Sequence, residues 1–414
     1  MGGSQKGILA RGFGFLTRQE DAYSVNMVRR SIENFSNMLV QQYQSIYLIA
    51  LGANSIQVGL VNSLAGVGTT ITALPAGWAV DRYGLKRAFM FGTLFMAVGT
   101  LLFGLANSWV VTIPAMVIYT FAGKINMTSC PVVCGSTLAN QDRAVGMQIC
   151  DSLAAVSGIV APVVGAWVIT AAGGLNVVGI RWVFFLQLGV LGAEFAVIAW
   201  KFRNPKARPT VAKGGMLGRV REVMSKGVAV KRFLLYQSLG IVPLYLNAIY
   251  VPLYAAQVKG ADTFTLGGMA TASLLVPLIL SVPSGKLANK FGRKVVVLSC
   301  LPLYCLSLVV LYLAPVAGAV PLMAAGVFQG FYTLGIVTGN AIRAEIVPIG
   351  LLGSWSGLLG LFGGIVGIIV PISAGLLWNV LSPSYVIAVL VVSQLAASAV
   401  LLTVPESLGL KREA

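Results

Sequence analysis

Six polar residues, Arg30, Glu33, Asn34, Asn37, Gln41 and Gln44, interrupt an otherwise apolar run near the start of the chain. Placed at about 100° per residue, they fall on one arc of a helix. Carboxamides so spaced could hydrogen-bond a polar solute, and a carboxylate among them could carry a proton. Gln329, Tyr332, Thr333, Asn340 and Arg343 form a second such arc later in the chain. Lys124 stands in the middle of another apolar run, with Thr120 and Thr128 one turn to either side. A cation there is either the counter-charge of an anionic solute or the partner of a buried acid, Glu33 or Asp151. Gln237, Tyr245, Asn247 and Tyr250 add polar groups to a fourth run without sharing one face.

The elements that must position these groups follow from composition. The chain is 57% hydrophobic and 10% charged, with 48 glycines in 414 residues, whereas soluble domains are about a quarter charged. This is the composition of a membrane protein. Apolar stretches of about 20 residues, each long enough to cross the hydrocarbon as a helix, recur along the length. Twelve spans are predicted, at 28–51, 55–80, 88–106, 109–137, 144–170, 178–200, 232–257, 264–288, 293–313, 318–342, 351–379 and 384–404. Barrel strands would alternate over shorter segments, so the expected class is all-α. A polar stripe facing lipid would be too costly, and the two arcs must face a watery cavity or polar partners.

The net charge of +17 is a matter of topology. If the N-terminus is cytoplasmic, 26 of the 29 Lys and Arg fall on the cytoplasmic side; Arg181 and Lys259 lie opposite and Lys124 lies within a span. This asymmetry follows the positive-inside rule and places both termini and the 201–231 linker in the cytoplasm of a multi-pass protein of the cell (inner) membrane. Membrane lipid is the expected partner of the basic loops. Without interleaved aromatic residues those loops offer no platform for nucleic acid. The first 27 residues show no signal-peptide pattern. In the linker, Leu217, Val220, Met224 and Val228 form the apolar face of a short amphipathic helix suited to the inner leaflet.

The chain repeats itself. GWAVDRYGLKR at 77–87 corresponds to GKLANKFGRK at 285–294, an offset of 208, and Gly158 and Pro162 correspond to Gly367 and Pro371 at 209. Two matches at nearly one offset imply two homologous halves. The expected domains are a six-helix bundle at 1–200, the basic linker at 201–231 and a second six-helix bundle at 232–414. In the repeated loop Gly77, Asp81, Arg82, Gly84, Lys86 and Arg87 match the loop motif of the major facilitator superfamily, with Leu85 where a basic residue is expected. The second copy keeps Gly285, Lys290, Gly292, Arg293 and Lys294, with Asn289 replacing the acid. Together with twelve spans and a duplication, the sequence resembles that superfamily over its whole length.

The resemblance implies that these residues form a gating latch, holding the cytoplasmic ends of the halves together when the other side is open. It implies also that the first, fourth, seventh and tenth spans line a central cavity, and the polar arcs fall on two of them. Ala161-Pro162 with Gly165-Ala166 partly resembles an antiporter pattern, and Pro405-Glu406 resembles a turn of sugar carriers. Neither assigns a substrate.

Energy coupling is reached by elimination. No phosphate-binding Gly-rich loop with Lys-Ser/Thr is present, so ATP hydrolysis by this chain is excluded and a gradient remains. With no histidine, a proton carrier must be a carboxylate. Glu33 leads and Asp151, within reach of Arg29 or Arg30, follows, while Glu194 is expected to snorkel from the end of a peripheral helix. Cys130, Cys134 and Cys150 gather near Asp151, Met127 and Met147 and raise a soft-metal alternative; Cys300 and Cys305 lie apart. The leading reading is a monomeric secondary transporter, not an enzyme and needing no cofactor or bound metal. It would move a small organic solute by alternating access with a proton or another coupling ion. An organic-anion carrier or uniporter using Lys124, a multidrug-type exporter and a metal transporter stay open, as do a channel and a transporter-like receptor.

Overall fold

The computed structural model describes residues 21–138, 143–204, 225, 227–347 and 352–406, with side chains described for all of these except 72–82, 127–132, 135–136, 143–145, 148, 344 and 352–354. The amphipathic linker segment and the Asp81 and Arg82 side chains therefore lie outside the described residues, as do those of Met127, Thr128 and Cys130. The first span is two helices, α1 (Asp21–Val40) and α2 (Gln44–Ala50), followed by α3 (Ser55–Tyr83), α4 (Leu85–Leu105), α5 (Thr112–Thr137), α6 (Arg143–Ala171) and α7 (Val177–Lys201). The second half holds α8 (Val228–Gln257), α9 (Thr263–Phe291), α10 (Arg293–Leu313), α11 (Ala319–Ile346), α12 (Leu352–Val380) and α13 (Pro383–Leu402). Among the described residues nine helices are long and apolar enough to cross a membrane. Several expected spans were too short: α1 starts at Asp21, not 28, and α8 at Val228, not 232. Polar helix ends continue beyond the hydrocarbon, where an apolarity criterion no longer sees them. The break between α1 and α2 comes where the Tyr43 N–H bonds back only three residues, to Val40 at 2.9 Å.

The packing repeats with the sequence. In the first half α1 packs on α6 and α7, α3 on α5, and α4 on α5 and α7; in the second α8 packs on α12 and α13, α9 on α11, and α10 on α11 and α13. The halves meet through α3 against α12 and α6 against α9, two contacts that exchange under the internal symmetry. The "far" end carries the turns after α2, α4, α6, α8, α10 and α12, and the "near" end carries the others. Toward the far end these contacts join backbone to backbone. A Cβ on Gly66 would stand 2.7 Å from the Gly367 carbonyl oxygen, and one on Gly267 would stand 2.9 Å from that of Pro162. Small residues allow helices this approach, and close packing is the main source of affinity between helices in lipid. Two tyrosines complete the seal symmetrically. The Tyr43 hydroxyl lies 3.3 Å from the Pro162 carbonyl oxygen and 3.5 Å from that of Thr263. The Tyr250 hydroxyl lies 2.6 Å from the Pro371 carbonyl oxygen and 3.4 Å from that of Ser55. Toward the near end contact is lost: among the described residues a Cβ at Gly285, Gly357 or Gly360 would meet nothing within 4 Å.

At the near end the two loop motifs make matching turns. Gly84 and Gly292 precede α4 and α10 with φ of 80° and 105°, a region open to glycine. The Lys86 ammonium donates to the Ala199 carbonyl at 2.7 Å, at the end of α7, and Lys294 donates to Leu402 and Val404 at 2.6 and 2.8 Å, at the end of α13. A side-chain oxygen then caps each new helix. Asn204 Oδ1 accepts from the Lys86 N–H at 2.8 Å, and Glu406 Oε1 accepts from the Arg293 N–H at 3.1 Å. The Pro405-Glu406 turn thus places a carboxylate at a helix N-terminus. Gly292→Ala forces a side chain into that backbone region and against Glu406, and should cost about 1–3 kcal/mol. Thermal unfolding of the purified protein should show the loss for Gly292→Ala and none for Gly285→Ala; equal midpoints would contradict this account of the turn.

Candidate functional site

The seal at the far end is the floor of a cavity between the halves. Its two lobes, about 420 and 320 Å³, share Met38 and Gln41 of the first span. The first lobe is walled by Arg30, Glu33, Asn34, Asn37 and Gln44, and by Tyr119, Thr120 and Lys124 of α5. The second takes Asn247 from α8, Met269 and Ser273 from α9, and Gln329, Tyr332 and Thr333 from α11. Both polar arcs thus reach one space. The stripe runs from α1 through the turn at Gln41 to Gln44 at the start of α2, and Arg30, Glu33, Asn34, Asn37, Gln41 and Gln44 all reach the same lobe.

Several polar groups are fixed by their partners. Asn34 Nδ2 donates to the Ala154 carbonyl at 2.7 Å, and the Tyr119 hydroxyl donates to Asn37 Oδ1. Gln187 Nε2 donates to the Tyr119 hydroxyl at 2.9 Å and to the Ser36 carbonyl at 3.1 Å. Across the cavity Asn247 Oδ1 accepts from the Tyr304 hydroxyl at 3.0 Å and lies 3.5 Å from Gln329 Nε2. The Tyr332 hydroxyl donates to the Gly240 carbonyl at 2.9 Å. Such anchoring holds these side chains in place while part of their hydrogen-bonding capacity stays unused.

Other expected site residues lie elsewhere. Gln237 accepts from the Trp355 indole at 2.8 Å between α8 and α12, and Tyr245 packs against Gly367. Asn340 is exposed beyond the cavity lining, toward the near end. Of the latch residues, Lys86 and Lys294 bind helix ends within their own halves, Arg87 is exposed, Arg293 pairs with Glu345 at 2.8 Å, and Lys290 lies 5.1 Å from the Phe291 ring. Cys134 and Cys150 are buried in an apolar cluster with Tyr23, Met27 and Leu138.

Of the acids, Asp151 meets one of its two expected partners, whereas Glu33 and Glu194 share an arginine that was not expected to hold them. Arg30 binds Asp151 at 2.9 Å in a pair open to water, with side chains 28% and 58% exposed. Arg29 binds Glu33 at 2.8 Å and Glu194 at 3.1 Å through the same nitrogen, and its guanidinium stacks 4.1 Å over Phe89. Glu194 does not snorkel: it is fully buried, because α7 packs against α1 and turns this carboxylate inward to Arg29. The polar arc passed over Arg29 because it lies off the arc's face. Its i,i+4 spacing to Glu33 was the available signal, and Glu194, an acid in an otherwise apolar run, was the second. Tyr43 and Tyr250 were legible only as a repeated pair beside Pro162 and Pro371.

The two ion pairs should differ in energetic weight. Arg29→Ala would leave buried carboxylates without their cation, at about 3–5 kcal/mol. Arg30→Ala removes one partner of a solvated pair, worth about 1 kcal/mol or less. Unfolding of purified variants should separate them by that margin, and equal effects would contradict the burial of Arg29.

The comparisons with known proteins agree with this architecture. Among curated relatives, the probable galactarate/D-glucarate transporter GudP of Bacillus subtilis (strain 168) is 24% identical over 369 residues, covering 80% of this chain and 79% of that one. The protein of that name from Escherichia coli (strain K12) is 25% identical over 373 residues, covering 78% and 79%. The crystal structure of the nucleoside transporter NupG superposes with a TM-score of 0.71 over 92% of this chain and 98% of its own, at 12% identity, a likeness of fold alone. The sequence model described as Major Facilitator Superfamily matches residues 32–276 and 233–413. With both halves matched and folded as paired six-helix bundles, this chain belongs to the Major Facilitator Superfamily of transporters.

Proposed function

We propose that this protein is a secondary transporter of a small polyhydroxylated organic anion, of the sugar-diacid kind named for the two GudP relatives. The observation that carries this reading is the first lobe, where Lys124 and Arg30 stand among the amides of Asn34, Asn37, Gln41 and Gln44. A cation supplies the charge-assisted bond that a carboxylate seeks, and amides serve the hydroxyls along its chain. The second lobe, with Gln329, Asn247 and Thr333, would receive the other end of the solute.

Transport proceeds by alternating access, with the domains at 1–200 and 232–414 rocking about the cavity and the linker at 201–231 joining them. Both termini lie in the cytoplasm of a cell-membrane protein acting as a monomer, so the conformation described here is open inward. The glycine contacts and the Tyr43 and Tyr250 hydroxyls are what must separate for the outward state. The latch at Gly77, Asp81 and Arg82 then closes the cytoplasmic side, with proton binding at a carboxylate driving the cycle.

Purified protein in proteoliposomes tests this reading with labelled D-glucarate. An inward proton gradient should drive accumulation, and preloaded unlabelled glucarate should accelerate entry by counterflow. Lys124→Ala should raise the half-saturating concentration roughly ten- to hundred-fold, the loss of about 1.5–3 kcal/mol expected for a bond to a charged group. Glu33→Gln should retain exchange and lose accumulation. Saturation unchanged in Lys124→Ala would remove it from the site, and flux without counterflow would contradict a carrier.

A further inference from the structure

The acid expected to carry the proton, Glu33, is one of two that share a cation. Glu33 and Glu194 both bind one nitrogen of Arg29, at 2.8 and 3.1 Å, and the sum of those distances bounds the separation of the two oxygens. Arg29 and Glu194 are fully buried and Glu33 is 6% exposed. Were both acids ionised, the cluster would hold a net negative charge away from water. Like charges so close in a poorly polarisable interior do not both persist, and the lowest state binds one proton.

The groups around the cluster favour one of the two acids. On α4 the Thr93 hydroxyl lies 3.3 Å from Glu194 Oε1 and Phe89 covers the guanidinium. On α1 Asn26 accepts from Arg29 at 3.3 Å. On α5, Tyr119 and Lys124 line the same lobe as Glu33, and Arg30 of that lobe pairs with Asp151, so the cluster sits close enough to the cavity to sense a charge that enters it. Glu33 keeps the shorter bond to Arg29 and lines the cavity. Glu194 Oε2 is buried and makes no hydrogen bond among the described residues. A charged oxygen so placed is costly, whereas a hydroxyl there carries no net charge.

We infer that Glu194 holds the transported proton, and that Glu33, bridged to it by Arg29, reports the proton's presence to the cavity. This rests on the reading of the cavity as an organic-anion site, and it deepens that reading by fixing the direction of coupling. A carboxylate arriving beside Lys124 adds negative charge near Glu33 and so favours the protonated cluster. Protonation removes negative charge and favours the anion, since linkage between two ligands is reciprocal. Anion and proton therefore load together, which makes the protein a symporter. The proton enters from water on the side where the anion binds and returns to water on the other side, where the loaded carrier opens and releases both.

Infrared spectra of the full chain in lipid nanodiscs, without solute, test the site itself. Wild type should show the carbonyl band of one buried protonated carboxylic acid. Glu194→Gln and Glu33→Gln should each abolish it, because the remaining acid is neutralised by Arg29, and Asp151→Asn should leave it in place. Thr93→Val, which keeps every charge, should shift its frequency, because Thr93 touches Glu194. A band that survives in folded Glu194→Gln, or one that Thr93→Val leaves unshifted, would overturn the inference. In proteoliposomes Glu194→Gln should lose at least ten-fold in proton-driven D-glucarate accumulation while retaining glucarate exchange. Should wild type take up no glucarate yet show the band with this mutant pattern, the solute reading fails and the proton site stands.

Discussion

Backbone against backbone at the far end is the contact on which the rest of this structure depends. Gly66 on Gly367 and Gly267 on the Pro162 carbonyl bring α3 to α12 and α6 to α9 closer than side chains would permit. Because the two contacts exchange under the internal symmetry, they close the same end of the molecule and leave the other apart. The space beneath them becomes the cavity, and the polar faces of α1 and α11 look into it instead of into lipid. Around these small-residue contacts and shared tyrosine hydroxyls, buried apolar side chains of both halves, Leu39 and Val58 with Leu266 and Ala374 among them, join in one cluster.

Much of this was legible in the sequence because membranes constrain it twice. Hydrocarbon thickness fixes helix length, and the cost of polar groups in lipid forces stripes such as Arg30 to Gln44 to face inward. The offset between Gly84 and Gly292 marks two matching turns in the sequence, and both have the left-handed backbone that glycine favours. Ion-pair partners were not legible in the same way. Whether Asp151 meets Arg29 or Arg30 depends on a rotation of α6 against α1 that apolar periodicity barely limits. Glu194 turned inward for a reason absent from its own segment, the guanidinium presented by α1. Gln237 and Tyr245 sit on a helix without a clean stripe, and there polarity alone did not reveal which side faces the cavity.

The charges divide by their access to water. Lys124 and Arg30, the latter paired with Asp151, border the cavity, whereas Arg29, Glu33 and Glu194 are withdrawn among α1, α4 and α7. Glu33 belongs to both groups, since it lines the cavity and binds Arg29. A withdrawn cluster changes by a whole unit of charge when it takes up one proton, and a residue that borders the cavity places that change beside it. The loop motifs have a structural part in the same design. Lys86 and Lys294 tie the start of one helix to the end of another inside each half.

The central claim is that the two ends open in turn about this cavity. Spin labels at Val110 and Val316 report on the far end and labels at Trp200 and Phe291 on the near end, all four positions being well exposed. Pulsed distance measurements in nanodiscs should give a short far-end and a long near-end distance for the conformation described here. Adding D-glucarate at acidic pH should create a second population in which the far-end distance lengthens as the near-end distance shortens. Distances that stay fixed at both ends, or lengthen together, would contradict the account.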